Sequence, residues 1–454
     1  MLVVGDIGST FTKMVGVSES GELLGSVRVP TSREDLAGGV ARARERLVAA
    51  AGRAAGEADL ILSSSAGGGL RIVVLGMEPA LTLAAGQRTS ATAGARIVAS
   101  YGAGETAAAT SAGFAAAQPD IALLTGGTDG GDAKTIVEHA EALRTLAPGL
   151  PVVVAGNRAA QPRVREALGE GRVVRCVDNV MPRVGELRPE SAQAEIRSLF
   201  VEHVIGHGRF SSASELASAI RMPTPAAVLA ATAAIGESAA HGEARFPVVV
   251  DIGGATTDVH SALPLDPSAH AYVATGLAES HLTRTVEGDL GMRENAPGVL
   301  EAAALGGLPR EELAGLEEPV ARRAADRAFV PADEAEREVD RRLAEIAAEV
   351  AVLRHAGRLR TVLTDEGAAL IRDGRDLRPA TCFIATGGVF AHAAAPARIV
   401  ETALARVRGS GGLVPASVPV RVDRDYLLWA VGLLARDHRE AALGLLESVL
   451  GGER

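Results

Sequence analysis

Residues 246–261, FPVVVDIGGATTDVHS, constrain this chain more than any other stretch. Val248, Val249 and Val250 form an apolar run that ends in Asp251. Gly253 and Gly254 follow, then Ala255, Thr256, Thr257 and Asp258. A buried strand running into a glycine turn leaves bare backbone N–H groups able to close on phosphate oxygens. Asp251, at the strand end, is placed to hold a metal ion or orient a water. The threonines add hydroxyls on the far side of the turn. The pattern D-x-G-G-x-T-x-D reads as strand–turn–strand. It is therefore neither a Walker loop nor a dinucleotide fingerprint, both of which open a helix.

The same design occurs at residues 2–17, LVVGDIGSTFTKMVGV. A strand runs into Asp6, then Gly8, Ser9 and Thr10, and a second strand carries Lys13. Two such turns about 245 residues apart imply two similar half-domains facing one ligand. The pair resembles the two phosphate motifs of the superfamily that joins acetate and sugar kinases, heat-shock chaperone ATPases and actin. That superfamily's adenosine motif, a strand with paired glycines, has a match at residues 382–390, CFIATGGVF. There Gly387 and Gly388 stand where a purine or ribose passes close to backbone. The resemblance implies an α/β chain of two ribonuclease H-like half-domains, the actin-like ATPase fold, facing a nucleotide cleft. The halves are expected at 1–200 and 246–454, with connecting helices at 201–245 and a helical insertion at about 300–358.

The chain has 454 residues, enough for two domains. With 47% apolar and only 3% aromatic residues, its cores must be built from Ala, Val and Leu. A formal net charge of −10 argues against a nucleic-acid partner. Two cysteines, Cys176 and Cys382, give no disulfide framework and favour a cytoplasmic setting. Met1 leads straight into a strand rather than a signal segment, and the longest apolar runs are too short to span a bilayer. Against 44 arginines stand 2 lysines, Lys13 and Lys134, each beside a glycine-rich loop. An ammonium approaches phosphate oxygens as a compact point charge where a planar guanidinium would not fit.

Taken in order, residues 1–30 read as a three-strand meander, and Ser32 as the cap of a helix reaching about Ala55. A strand at residues 60–63 leads into a polar glycine loop at 63–69, which either touches a ligand or is a plain strand-to-strand turn, and residues 81–113 read as mostly helical. Residues 119–180 read as three strands alternating with helices, which implies a parallel sheet with ligands beyond the strand C-termini. Gly126, Gly127, Asp129, Asp132 and Asn157 lie there. Asp129 and Asp132 either position metal or water, with Lys134 nearby, or cap the following helix. Ser212 and Glu215 have capping-box spacing, and Thr224–Pro225 opens a helix. His203 and His207 are four apart, too few for a zinc site. Residues 271–276 read as a strand. Within the polar run 281–295, Glu287 and Asp289 are either site groups or part of an exposed loop. Val339, Leu343, Ile346, Val350 and Leu353 form one apolar helical stripe, for this domain's own core or for a partner helix. Gly432, inside a helix opening near Asp425, predicts a close crossing such as the superfamily's inter-domain helix. Trp429 reads as core.

The chemistry this pattern implies is a nucleotide clamped by both phosphate turns. Asp6 and Asp251 would hold Mg²⁺ through water, and one of them or Asp258 would orient the attacking water. Three readings remain open: an ATP-driven machine acting on a protein, a small-molecule kinase, and a reductive activator of a radical dehydratase. A kinase wants a catalytic aspartate in the first domain, for which only Asp129 and Asp132 offer themselves. The activator wants cysteines bridging an iron–sulfur cluster, which Cys176 and Cys382 fit poorly. Several segments, GDIGSTFTK, SSSAGGGLRIVVLG, LLTGGTDGG, VVAGN, VDIGGATTDVHS and EGDLGMREN, resemble the accessory proteins called GlmL or glutamate mutase L. These are unrelated to the mismatch-repair protein sharing the letters MutL. That resemblance covers nearly the whole chain and implies the first reading. Members are encoded beside adenosylcobalamin-dependent carbon-skeleton and amino mutases, so a reactivating or chaperone role toward mutase subunits is expected. No D-x-H-x-x-G element occurs, so no tightly bound cobalamin is expected; a homodimer is left open.

Overall fold

The computed structural model of the chain describes residues 1–32, 35–65, 70–107, 111–206, 218–238, 245–265, 273–274, 277, 279–364 and 367–451. It divides into two compact units. One comprises Met1–Gly67, Ser212–Ala274 and His281–Arg454; the other comprises Gly68–Ser211 and Thr275–Ser280.

The first unit opens with the expected meander of β1 (Leu2–Ile7), β2 (Phe11–Val17) and β3 (Leu23–Pro30), with β4 (Leu60–Ser64) parallel to β1. The second unit holds β5 (Arg71–Leu75), β6 (Arg96–Tyr101), β7 (Ile121–Leu124), β8 (Val152–Val154) and β9 (Val174–Cys176). These form an all-parallel sheet in the order β6-β5-β7-β8-β9. Its core is Val and Leu from the strands with Ile136, Leu143 and Val164 from the crossover helices. The inner strands β5, β7 and β8, buried on both faces, read as continuous apolar runs.

The chain re-enters the first unit at β10 (Ile220–Pro223), which pairs with β4. Then follow β11 (Pro247–Ile252), β12 (Thr257–Ala262), β13 (Val273–Ala274), β14 (Leu282–Glu287), β15 (Arg358–Thr364), β16 (Gly367–Asp373), β17 (Cys382–Thr386) and β18 (Val420–Val422). The two large sheets of this unit run β3-β2-β1-β4-β10 and β14-β12-β11-β17-β18. Each has three antiparallel strands and then two parallel ones, so one 3-2-1-4-5 order occurs twice. This is the doubled ribonuclease H-like arrangement of the actin-like ATPase fold.

A helix follows each fifth strand: Thr224–Glu237 after β10 and Leu428–Leu434 after β18. They cross so closely that a Cβ on Gly432 would lie 1.7 Å from the Ala227 carbonyl oxygen. Val4 and Val15 of one sheet, Val249 and Ile384 of the other, and Ala227, Ala231 and Trp429 of the helices share one core. That shared core explains why the chain does not divide at residues 200 and 245. Both repeated sheets belong to one unit, and the parallel sheet inserted between β4 and β10 is the other.

Helices Ala296–Leu305, Glu317–Ala325 and Glu334–His355 occupy the expected insertion. Leu343, Ile346 and Val350 are buried in the same core as Val248, Val250 and Val259, with Val339 and Leu353 partly buried beside them. The stripe therefore packs on its own half.

Several local expectations are corrected. Asp35, not Ser32, caps the first helix, Leu36–Ala51: its carboxylate accepts from Gly38 N (2.8 Å), while Ser32 Oγ accepts from Asp35 N (3.2 Å). The span 81–113 contains β6, and the polar run 281–295 contains β14. Residues 66–69 of the early glycine loop, the Ser212/Glu215 pair, His207, and all but Val273–Ala274 of the strand expected at 271–276 lie outside the described residues. No helix among the described residues is long and apolar enough to cross a membrane.

Candidate functional site

The first phosphate turn is closed by a hydrogen bond from Gly8 N to Phe11 O (3.1 Å). A Cβ on Gly8 would lie 2.6 Å from that same carbonyl, so the turn demands glycine. Ser9 and Thr10 sit at its tip. Asp6 and Lys13 face each other across the β1–β2 ladder. The carboxylate of Asp6, only 1% exposed, accepts from Lys13 Nζ (3.1 Å), Ser63 Oγ (3.1 Å) and Thr224 Oγ1 (2.5 Å). Three elements thus converge on it: β2, the end of β4, and the start of the first crossing helix. The Lys13 ammonium lies 3.6 Å from the centre of the Tyr426 ring, a cation–π contact.

The second turn has the same construction, with Gly253 N donating to Thr256 O (2.9 Å). A Cβ on Gly254 would come within 3.6 Å of Thr10 Oγ1, so the two turns face each other. Asp251 stands between Asp258 on β12 and Thr386 on β17. Asp258 is held by a buried ion pair with Arg284 (3.2 Å). Asp423, just past β18, accepts from Thr386 Oγ1 (2.8 Å) and from the backbone N–H groups of Leu427 and Leu428 (2.8 and 2.9 Å).

Asp251 differs from the other three carboxylates. It is 8% exposed, and its Oδ1 is buried without a hydrogen-bond partner among the described residues. Burial pushes its pKa up to about 8. The Asp258 charge adds to this, Lys13 opposes it, and Asp6 and Asp423 add smaller contributions. An orphaned carboxylate oxygen of this kind costs free energy unless it carries a proton or meets a cation. The donor set therefore suits a hydrated Mg²⁺ opposite Asp251 and Asp6. Among the described residues no three His, Cys, Asp or Glu side chains converge as a direct ligand set.

A third loop, residues 288–295, covers the second turn. Met292 N donates to Gly253 O (3.0 Å), and Arg293 N and Glu294 N donate to Gly254 O (2.8 and 2.9 Å). Thr257 Oγ1 donates to Leu290 O (2.5 Å), and Asn295 Nδ2 to Ala255 O (2.7 Å). Of this stretch Glu287 and Asp289 are the expected site candidates, yet both carboxylates pair with Arg354 (2.6 and 2.9 Å).

At the adenosine-type turn the two glycines differ. Gly387 has φ +118°, and a Cβ there would lie 2.3 Å from Ile252 O. Its smallness serves the packing of β17 on the phosphate strand. Gly388 has open space where its Cβ would be. Beside the carboxyl end of β18 lies a groove of ≈ 680 Å³, with Asp423, Arg398, Arg421 and Arg424 among its lining.

The loop of Gly126, Gly127, Asp129, Asp132 and Lys134 is in the other unit. Asp129 accepts from Arg158 N and Asn179 Nδ2 (both 3.0 Å), and Asp132 accepts from Thr135 N (3.1 Å) at the start of helix Lys134–Leu146. Asn157 bonds the carbonyls of Gly131 and Asp132. Lys134 is 82% exposed beside Glu138.

Sequence reasoning offered Ser63 only as part of a glycine loop able to touch a ligand, and missed Thr224, Arg284, Asp423 and Tyr426 as site residues. Asp423 carries a weak signal: like Asp251 it stands at the end of a short strand, VRVD, though Arg421 interrupts that strand's apolar pattern.

The family described as MutL protein matches residues 2–450. Protein MutL of Clostridium tetanomorphum is 34% identical over 453 residues, covering 98% of each chain. Among solved structures, nucleotide-free acetone carboxylase is 14% identical (TM-score 0.41; 96% of this chain, 70% of that one). The activator of 2-hydroxyisocaproyl-CoA dehydratase from Clostridium difficile, with bound ADPNP, is 13% identical (TM-score 0.29; 98% and 97%). Scores this low carry no argument, and the fold rests on the repeated strand order above. The sequence match does decide the family, and the chain belongs to the MutL protein family.

Proposed function

We propose that this chain binds Mg²⁺–ATP between its two phosphate turns, hydrolyses it, and uses the cycle to reactivate or chaperone an adenosylcobalamin-dependent mutase. The observation that carries the nucleotide half is Asp251: a buried carboxylate with one unpartnered oxygen, set between two facing glycine turns. Family membership, with the resemblance to glutamate mutase L, supports the mutase half.

In this reading the amides of Gly8, Ser9 and Thr10 and of Gly253, Gly254, Ala255, Thr256 and Thr257 grip the phosphates. Lys13 adds a positive charge beside them. Mg²⁺, when bound, neutralises phosphate charge as the γ-phosphoryl departs. Asp6, Asp258 and Asp423 are each fixed by neighbours, whereas the Oδ1 of Asp251 is left to orient an attacking water. Gly387 and Gly388 hold the adenosine end. A ligand shared by two halves that cross at Gly432 gives hydrolysis a hinge to act on.

The test is phosphate release by the purified chain with Mg²⁺ and ATP, alone and with mutase subunits inactivated by damaged cobalamin. Slow release alone, with mutase activity restored when ATP is added, is the expected result. Phosphate transfer only when a small metabolite is supplied would make the chain a kinase instead. Asp251→Ala should lower hydrolysis by about 100-fold or more with the fold kept, and unchanged turnover would remove Asp251 from the chemistry.

A further inference from the structure

Arg293 is the hinge point of a contact chain that runs from the second phosphate turn into the helical insertion. Its backbone N–H holds Gly254 O (2.8 Å). Its side chain leaves the turn altogether. Nη2 and Nη1 grip both oxygens of Asp340 (2.8 and 3.3 Å), and Nε donates to Phe329 O (3.0 Å). Asp340 sits on helix Glu334–His355 and accepts a third bond, from Arg323 Nε (2.6 Å). Arg323 is 0% exposed, stacks 4.7 Å from the centre of the Phe329 ring, and donates to Glu336 O (2.8 Å) and Pro319 O (3.1 Å). Between turn and clamp, the loop has no slack. A Cβ on Gly291 would lie 2.6 Å from Ala255 O, and one on Gly298 would lie 2.3 Å from Asp289 O.

We infer that Arg293 is a positioning residue, and that the Arg293–Asp340–Arg323 cluster sets the conformation of the Gly253–Gly254 turn from the helical insertion. A bidentate guanidinium–carboxylate pair fixes orientation as well as distance. The Gly254 carbonyl, which this loop holds twice, belongs to the turn whose amides are proposed to meet phosphate. A shift of helix Glu334–His355 therefore reaches the Gly254 carbonyl through the Asp340 carboxylate and Arg293, while the Arg354 pairs with Glu287 and Asp289 hold the start of the same loop. The catalytic consequence rests on the nucleotide reading above; the mechanical consequence does not.

The experiment uses the full chain, with Asp340→Asn and the milder Arg293→Lys, which keeps the charge and loses the fork. Hydrogen–deuterium exchange of peptides spanning residues 250–258 is measured without nucleotide. Exchange at the turn should quicken by about tenfold in Asp340→Asn and less in Arg293→Lys, while β1–β2 peptides keep the wild-type rate. Unchanged exchange at the turn in both variants overturns the proposal, whatever the nucleotide results. Where wild type hydrolyses ATP, kcat should fall by about tenfold or more in Asp340→Asn with ADP affinity within about twofold of wild type. Equal loss of ADP and ATP affinity with general speeding of exchange would mark a merely structural role and also overturn it. A wild type that hydrolyses nothing defeats the nucleotide reading alone, because the exchange result still decides the clamp.

Discussion

Asp251 shows what a single residue can disclose. Its carboxyl titrates near pH 8 in the folded chain, against an ordinary 3.8. Between those values the folded state holds a proton that the unfolded state has released, so stability falls as pH rises through this window. Asp251→Asn cannot ionise and should therefore be more stable relative to wild type at pH 8 than at pH 4, by up to about 5 kcal/mol, and melt correspondingly higher there. The gap should close toward pH 4, where both forms are neutral. Thermal melts across that range check it, and a gap independent of pH would contradict the assignment. The paired glycines make a second contrast. Gly387→Ala forces a Cβ against Ile252 O at φ +118° and should cost about 1–3 kcal/mol. Gly388→Val meets open space, so its Tm should stay near wild type while ATP affinity drops by about tenfold or more. Normal ATP binding by Gly388→Val would mean that the adenosine-type turn is misplaced. In the sequence both glycines read as room for a purine; only the neighbour of each tells them apart.

At the scale of elements, the phosphate strands were legible because a fully apolar run ending in Asp-x-Gly has few other outcomes. β1 and β11 carry that signature, β2 and β12 follow as the strands that leave each turn, and β17 is an apolar run ending in paired glycines. β6 and β10 were not legible. β6 is half-buried along its whole length and lies in an alanine-rich stretch, and β10 has four residues ending in proline. Neither shows a period of two, and both are strands because a neighbour offers them an edge. The crossing helices were legible as helices, the first from Thr224–Pro225, and their close crossing through Gly432. Gly432→Ala would drive a methyl into the Ala227 carbonyl and should destabilise the chain by about 3 kcal/mol or more. Calorimetry measures this directly; a neutral effect would mean the helices do not cross at van der Waals contact.

At the scale of the whole molecule, a ligand that binds only the folded state stabilises it by mass action. Mg²⁺–ATP at about 100 times its Kd should add roughly 2.7 kcal/mol to unfolding. The shift should fall to about 1.4 kcal/mol or less at the same concentration in Gly388→Val, and an undiminished shift there would place the nucleotide elsewhere. The sequence by itself determined the two Asp–Gly turns, their glycines, the crossing helix and the family, because each rests on contacts within about ten residues or on a motif of fixed spacing. The tertiary structure alone decided the rest. It showed that the repeated sheets are one unit and that residues 68–211 are another, since a shared core between Val4 and Ile384 has no local trace. It brought Ser63, Thr224, Arg284 and Asp423 to the carboxylates from four distant places. It also left Asp251 as the carboxylate with an oxygen to spare. Charge burial is a property of everything packed around a group, and no stretch of sequence carries that.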